Sequence, residues 1–378
     1  MAEKGVFGIY FGFEEIQVRL WTGGETRPIL KMPAVYTCGA LGEVLAGNRA
    51  VYDRQFHREK RLYSVLEAMQ AAEYRENGCE WAAAEEKCNL LMRDLRETLD
   101  RVWDAGVSDC VIAVPAPSLR LQKSIHKAME EAGFHGIRQL HAAVACAVSQ
   151  AYRMTRNQFF SVCAAAGGQR QYAAASYEEG ILEILDYAAE LPAYVPGSAR
   201  ESHFRFYAGD SRFFRTHGRE AEAYEDLPTF AADGAAIQGA SAKGLLAKKI
   251  LVLELFPWKI GLELADAAGS ICFPLAWMIA NPVTVPTVSH SVCIRLDSGI
   301  GGKSLRLYTG RFYTGSPGFG GDSQMVREWK LEESCAVFGP GLKELEAAVH
   351  LYVNIPSVQI QLQEPGMGGK KVLLDFLQ

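Results

Sequence analysis

The pattern of apolar residues changes about two-thirds of the way along the chain, and this change limits the folds that the chain can adopt. Up to about residue 245, short apolar runs alternate with stretches whose apolar residues recur at helical spacing. That alternation is typical of an α/β domain. From about residue 250 the helical spacing largely disappears, and short apolar segments are separated by turn-rich ones. The later pattern predicts an antiparallel β-sandwich.

The same spacing locates individual elements. In the α/β part we expect strands at residues 5–10, 16–21, 110–114, 160–163 and 172–185. We expect helices at residues 81–102, 121–129 and 142–152, the last of them rich in small residues. In the final third we expect strands at residues 259–265, 291–296, 304–309, 325–331, 345–353, 358–363 and 371–376.

Length, charge and cysteine usage exclude several classes of protein. A chain of 378 residues exceeds what one hydrophobic core usually serves, so two domains are expected. The net charge of −5 gives no indication of a basic surface that would bind nucleic acid. The apolar stretches are too short to span a bilayer, and the first residues carry no basic leader, so we expect no membrane association. The nine cysteines are scattered without a CxxC pair, which predicts a reduced, cytoplasmic protein without a metal.

We place the domain boundaries at two changes in composition. The first domain is expected at residues 1–245 and the second at residues 258–378. Residues 246–257 form an apolar connector that ends in a proline, and we interpret them as the linker. A second seam, rich in proline, glycine and serine, lies within the first domain at residues 192–202.

The residues around the linker resemble one known family. The segment Lys249-Ile-Leu-Val-Leu-Glu-Leu-Phe-Pro-Trp-Lys-Ile-Gly-Leu-Glu263 is similar to the interdomain linker and first substrate-domain strand of the heat-shock protein 70 (Hsp70) chaperones. Further similar segments follow the family order at residues 111–116, 207–212, 233–240, 285–291, 308–310, and 358–364 with 370–375. Each motif alone is weak, but their common order is fairly specific. The chain is therefore identified as a divergent, shortened member of that family.

The resemblance implies an overall architecture. It implies an actin-like (ribonuclease H-like) ATPase domain, followed by an antiparallel β-sandwich that holds an extended peptide. Residues 192–202 stand where the family has a whole subdomain of one lobe, so that subdomain is expected to be missing. The chain ends at Gln378, before the position of the family's helical lid, so we expect weak and fast-exchanging peptide binding.

The resemblance also implies candidate site residues. It places ATP or ADP at three turns, whose matching residues are Gly8, Gly12, Gly167, Gly168, Gly209, Ser211 and Arg212. Lys60 matches the position of the family's catalytic lysine and is the one candidate catalytic residue. The residues that match the lining of the peptide pocket are Leu262, Leu264, Ala265 and Leu305.

The nucleotide turns depart from the family pattern in chemically important ways. The first turn reads Gly8-Ile-Tyr-Phe-Gly-Phe-Glu14, so Tyr10 stands where the family has a metal-proximal carboxylate. Ala164 replaces the acidic residue of the second turn, and His141 replaces a glutamate that would orient metal-bound water. Phosphoryl transfer needs metal-held oxygens and unobstructed backbone N–H groups. We therefore expect ATP binding to be doubtful, hydrolysis to be weak or lost, and no metal to be bound.

A simpler interpretation competes at each site. Gly12 and the Gly167–Gly168 pair are explained by hairpin turns, which we favour over phosphate contact. Lys60 is explained as a surface cation. The turn at residues 209–212 is explained equally well as inherited structure or as nucleotide contact. The residues that match the peptide pocket are explained as sandwich core at least as readily as by binding.

Three functions remain, in order of preference. The first is a chaperone-like protein that holds unfolded or extended polypeptide. One buried leucine-sized side chain contributes about 1.5–3 kcal/mol, whereas micromolar affinity needs about 8 kcal/mol, so main-chain hydrogen bonds must supply much of the remainder. The alternative is a pseudo-ATPase adaptor that docks a dedicated partner protein. The third is an ATPase with relocated catalytic groups. With the nucleotide site damaged, we expect linker residues 251–255 to stay in one state, docked or free.

Overall fold

The computed structural model of the protein describes most of the chain, namely residues 5–39, 43–75, 78–103, 109–115, 118–188, 204–210, 224–256, 258–280, 283–296, 299–311, 324–338, 341–352, 358–366 and 369–376. None of the helices in these ranges is both long enough and apolar enough to cross a membrane. The chain forms two compact units, of which the first ends at Leu253 and the second begins at Glu254. This division lies inside residues 246–257. The seam at residues 192–202 lies outside the described residues.

The first half of unit one is built around a five-stranded sheet. Its elements are β1 (Val6–Phe11), β2 (Glu15–Thr22), β3 (Glu25–Pro33), β4 (Val35–Cys38), β5 (Val44–Ala46), α1 (Gly47–Phe56), β6 (Tyr63–Ser64), α2 (Val65–Tyr74), α3 (Gly78–Val102), β7 (Asp109–Val114), α4 (Leu119–Glu131) and β8 (His135–His141). The sheet order is β3-β2-β1-β7-β8, and β4, β5 and β6 form a small separate sheet. Strand β1 is buried along its whole length, as expected for a strand covered on both faces.

The second half of unit one contains a six-stranded sheet. Its elements are α5 (Ala142–Arg153), β9 (Gln158–Ala166), β10 (Gln169–Glu178), β11 (Ile181–Ala188), β12 (Phe204–Gly209), β13 (Tyr224–Asp226), α6 (Leu227–Ala242) and β14 (Leu251–Leu253). The sheet order is β13-β12-β9-β10-β11-β14. Strand β14 comes from the expected linker and pairs in parallel with β11.

The two large sheets of unit one repeat one arrangement. In the first sheet, β1, β2 and β3 form an antiparallel meander, and β7 and β8 continue from β1 in parallel. In the second sheet, β9, β10 and β11 form the meander, and β12 and β13 continue from β9 in parallel. Unit one is therefore a mixed α/β structure with a repeated sheet topology.

One strand expected from the sequence is divided in the structure. The prediction of a single strand at residues 172–185 is wrong, because the chain reverses at Glu179 and Gly180, both with positive φ. The segment therefore forms most of β10 and the first part of β11, which pair with each other. Glycine adopts positive φ without a steric cost, and this explains the position of the reversal.

Unit two consists mainly of antiparallel strands. Its elements are β15 (Leu255–Phe256), β16 (Trp258–Asp266), β17 (Ile271–Ile279), β18 (Val283–Thr284), β19 (Thr287–Val288), β20 (Val292–Arg295), β21 (Lys303–Arg311), β22 (Gln324–Lys330), α7 (Leu331–Ser334), β23 (Glu344–Leu351), β24 (Val358–Gln363) and β25 (Lys371–Asp375). One sheet has the order β17-β16-β21-β22. In the other, β19 and β20 both pair with β23, which is followed by β24 and β25. Strand β17 was not expected from the sequence.

The core of unit one depends on close backbone contacts of helix α6. A Cβ atom on Gly8 of β1 would lie 2.1 Å from the carbonyl oxygen of Ala232 in α6. A Cβ atom on Gly234 of α6 would lie 1.7 Å from the carbonyl oxygen of Ala145 in α5. Only glycine allows these approaches, so both positions are set by packing.

We predict that Gly234→Ala destabilises the protein. Alanine is the better helix former by about 1 kcal/mol, but its methyl group would collide with backbone that cannot yield easily. We expect a net loss of about 2 kcal/mol or more in the free energy of unfolding, measured by denaturant titration.

Gly301→Ala is the matched control, because nothing lies within 4 Å of the added Cβ atom. It should change stability by no more than about 0.5 kcal/mol. A Gly234→Ala protein that is as stable as the wild type would contradict the packing described for α6.

Candidate functional site

Three turns that the resemblance connects with nucleotide follow strands β1, β9 and β12. The first turn, at residues 12–14, joins β1 to β2, and the second, at Gly167 and Gly168, joins β9 to β10. The third begins at Gly209, the last residue of β12. Because β12 runs parallel to β9, with Gly209 beside Ala165, the second and third turns emerge at the same edge of the sheet.

A carboxylate of the chain itself binds the backbone of the second turn. Asp210 donates its backbone N–H to the carbonyl oxygen of Ala165 at 2.9 Å. Its side-chain Oδ2 accepts a hydrogen bond from the backbone N–H of Gly167, also at 2.9 Å. Asp210 is only 6% exposed. Backbone N–H groups in such turns are the usual donors to phosphate, and here one of them already serves an internal anion.

An aromatic side chain of the first turn covers the second turn. Phe13 is buried, and a Cβ atom on Gly167 would lie 2.5 Å from Phe13 Cδ2. The N–H of Gly12 is used within its own turn, where it donates to the carbonyl oxygen of Glu15 at 3.0 Å. Phe13 therefore fills the space next to Gly167, whereas Gly168 is exposed and a Cβ atom on it would meet nothing within 4 Å.

Tyr10 stands at the position where the family has a metal-proximal carboxylate, and it is fully buried. Burial raises its pKa well above the ordinary value, and the nearby Asp210 and Cys146 add to this shift. Within the described residues, its hydroxyl group has no hydrogen-bond partner. The ring lies beside Gly12, whose added Cβ atom would be 2.4 Å from Tyr10 Cε1. A neutral phenol in this environment offers a metal ion no charge.

The glycines of the candidate nucleotide site have separate structural roles. Gly8 lies beneath helix α6, where its lack of a side chain permits close packing. Gly167 and Gly168 both have positive φ, of 57° and 84°, which is the geometry of a tight two-residue hairpin. Ser211 and Arg212 lie outside the described residues. Among the described residues, no three metal-ligating side chains come together.

The remaining sequence-derived candidates of unit one lie in other contacts. Lys60 donates to Asp53 Oδ2 at 2.8 Å, and both side chains are 17% exposed. This ion pair ties the segment after α1 back to the helix. His141 is the N-cap residue of α5, although its side chain makes no capping hydrogen bond.

The four residues that match the peptide pocket lie in the core of unit two. Leu262, Leu264 and Ala265 belong to β16, and Leu305 on β21 lies directly opposite Leu264. All four are 0% exposed. In this conformation, a peptide side chain would reach them only if neighbouring side chains moved.

No protein-family model matches the chain. The candidate site therefore depends on its geometry and on the sequence resemblance. Sequence reasoning singled out Gly209, Ser211 and Arg212 but passed over Asp210 between them. An acidic residue inside a turn matched to a nucleotide contact was the signal that could have identified it.

We predict that burial of Tyr10 lowers the free energy of unfolding at alkaline pH. Its folded-state pKa lies above 10, the value of an unperturbed tyrosine. The unfolded chain can therefore ionise this residue above pH 10 while the folded chain cannot, so stability falls as the pH rises. Tyr10→Phe should be as stable as the wild type or up to about 1 kcal/mol more stable at about pH 8, because the lost hydroxyl is unpartnered among the described residues.

The measurement is urea unfolding between about pH 8 and pH 11. Tyr10→Phe should lose less stability over this range than the wild type. Tyr52→Phe, which removes a hydroxyl from a residue that is 63% exposed, is the control. Equal losses for wild type and Tyr10→Phe would contradict the burial of a neutral Tyr10.

Proposed function

We propose that this protein is an Hsp70-like chaperone that holds extended polypeptide segments independently of nucleotide. The observation that carries the proposal is the hydrogen bond from the N–H of Gly167 to the carboxylate of Asp210. In this contact, a backbone N–H of the kind that usually donates a hydrogen bond to phosphate donates instead to a carboxylate of the same chain. The resemblance supplies the class of protein, and this contact supports the loss of nucleotide control.

The repeated topology of unit one supports an actin-like fold. Folds of that class contain two similar domains, each with a three-strand antiparallel meander continued by parallel strands. The sheets around β1 and β9 both follow this order. The two antiparallel sheets of unit two are compatible with the β-sandwich of the same family.

Electrostatics oppose ATP or ADP binding at the three turns. Asp210 is buried at the second turn, where a phosphate would meet its negative charge. A buried carboxylate disfavours the approach of a second anion. Tyr10 and Ala164 stand where the family has acidic residues, and neither supplies a carboxylate. We therefore infer that the protein does not hydrolyse ATP, and that Lys60 has no catalytic role.

The pairing of β14 supports a linker held in one state. Leu251, Val252 and Leu253 form this strand, which extends the sheet beyond β11. Allosteric coupling requires two states that a ligand binds unequally. Without a nucleotide that distinguishes them, we expect the linker to remain paired.

A second candidate function is the pseudo-ATPase adaptor. The observation that favours it is the complete burial of Leu262, Leu264, Ala265 and Leu305, the residues matched to the peptide pocket. An adaptor would bind one dedicated folded partner and would have no affinity for generic extended peptides.

The test is fluorescence anisotropy of labelled extended peptides, apolar and acidic, titrated with the protein with and without about 1 mM Mg-ATP. We predict saturable binding in the micromolar range or weaker, with the same Kd in both conditions. Phosphate release should stay at background, and Lys60→Ala should not change it.

Each other outcome has a defined meaning. A Kd that changes with Mg-ATP, or phosphate release that Lys60→Ala abolishes, would contradict nucleotide independence. No peptide binding at about 200 μM protein, together with a stable partner in a pull-down, would favour the adaptor instead.

A further inference from the structure

Strand β17 is an exposed apolar strand at the end of its sheet. In the part of the chain that the structure describes, β17 pairs with β16 along one edge and is the last strand in the order β17-β16-β21-β22. Ile271 is 60% exposed. Cys272 and Pro274 are also exposed, and Phe273 and Leu275 are half-buried. The strand therefore presents an apolar edge to solvent.

The composition of β17 is unusual for such a position. Its sequence, Ile-Cys-Phe-Pro-Leu-Ala-Trp-Met-Ile, contains no charged residue. Edge strands usually carry lysine or other charges that prevent pairing with another chain. The protective features that β17 does have are Pro274, which lacks an N–H, and irregular register against β16. Between Leu275 and Ile279 there is no proline. Leu275, Ala276 and Trp277 are half-buried and Met278 and Ile279 are buried, so the accessible part of the edge extends from Ile271 to Trp277.

Gly261 of β16 shapes the apolar surface beside this edge. A Cβ atom on Gly261 would lie 2.7 Å from Leu275 Cδ1 and 3.0 Å from Trp277 Cε3. Leu275 and Trp277 can therefore lean over β16, and Lys259 Nζ lies 5.9 Å from the centroid of the Trp277 ring. These contacts hold two large apolar side chains in place next to the open edge.

We propose that β17 binds an extended, apolar polypeptide segment by β-strand addition. This inference rests on the proposed function and gives the polypeptide a binding position outside the buried residues matched to the family pocket. A strand is the occupant that satisfies a row of backbone N–H and C=O groups. The uncharged side chains of β17 favour apolar residues on that strand, since burying a charge against them would be costly.

A second copy of the chain fits this edge less well. Antiparallel pairing of β17 with itself would centre the ladder near Leu275, so both copies of Pro274 would fall within it. Each of those prolines lacks an N–H donor. A polypeptide without proline can supply donors that a second β17 cannot.

The test compares two labelled peptides of the same apolar sequence by fluorescence anisotropy. One has an ordinary backbone, and the other is N-methylated at alternate residues, which removes the hydrogen bonds of one strand edge. The N-methylated peptide should bind the wild-type protein at least about tenfold more weakly, because strand addition depends on those bonds. Binding at the pocket matched to the family would also use main-chain hydrogen bonds, so the protein variants below assign those bonds to β17.

Two protein variants locate the site. The double variant Ile271→Lys, Phe273→Lys places charges on β17 and should weaken binding of the ordinary peptide at least about tenfold. Leu373→Lys is the matched control, since Leu373 is 55% exposed on β25, the last strand of the other sheet. It should change the Kd by less than about twofold. Circular dichroism and thermal unfolding establish that both variants are folded.

The outcomes separate this inference from the proposed function. Peptide binding that neither N-methylation nor the β17 double variant weakens would overturn strand addition at β17 and leave the proposed function standing. Weakening by Leu373→Lys instead would move the site to the other sheet and also overturn it. A dimer in light scattering that Ile271→Lys dissociates would show that a second copy occupies the edge, and would overturn the inference as well. Absence of any peptide binding would overturn both proposals.

Discussion

The structure of unit one depends on the close approach of helix α6 to its neighbours. Because Gly8 has no side chain, the backbone of α6 can lie against β1. Because Gly234 has no side chain, the backbone of α5 can lie against α6. These contacts leave no room for a single methyl group at either position. Helix α6 packs mainly against α5 and the first sheet, and it touches β9 and β12 of the second sheet. The turns that follow β1 and β9 meet, with Phe13 against Gly167.

The second turn of unit one is completed by contacts within the chain. Phosphate turns consist of backbone donors that are costly to bury unpaired. Here Asp210 accepts the hydrogen bond of Gly167, and Phe13 packs against Gly167, while Gly168 remains exposed. The N–H of Gly167 is thus satisfied within the chain.

Local sequence patterns predicted much of the fold, and long-range contacts account for what they missed. The hairpin at Gly167 and Gly168 and the short strands of unit two follow from turn residues and apolar runs. Strand β17 was missed because Pro274 interrupts it, although a proline is compatible with an edge strand. The hydrogen bond between Gly167 and Asp210 depends on the register of β12 against β9, which no local pattern encodes. The close approach of Gly8 to helix α6, more than two hundred residues away in the sequence, depends on tertiary packing in the same way.

The backbone amide of Gly167 offers the most direct test of a turn that is closed by Asp210 and does not respond to nucleotide. Hydrogen exchange at this amide can be followed by NMR with glycine labelled with nitrogen-15. We predict slow exchange that about 5 mM Mg-ADP leaves unchanged and that Asp210→Ala accelerates at least about tenfold. A Gly167 resonance that shifts or gains protection with Mg-ADP would show that nucleotide reaches the turn, and would contradict the internal closure by Asp210.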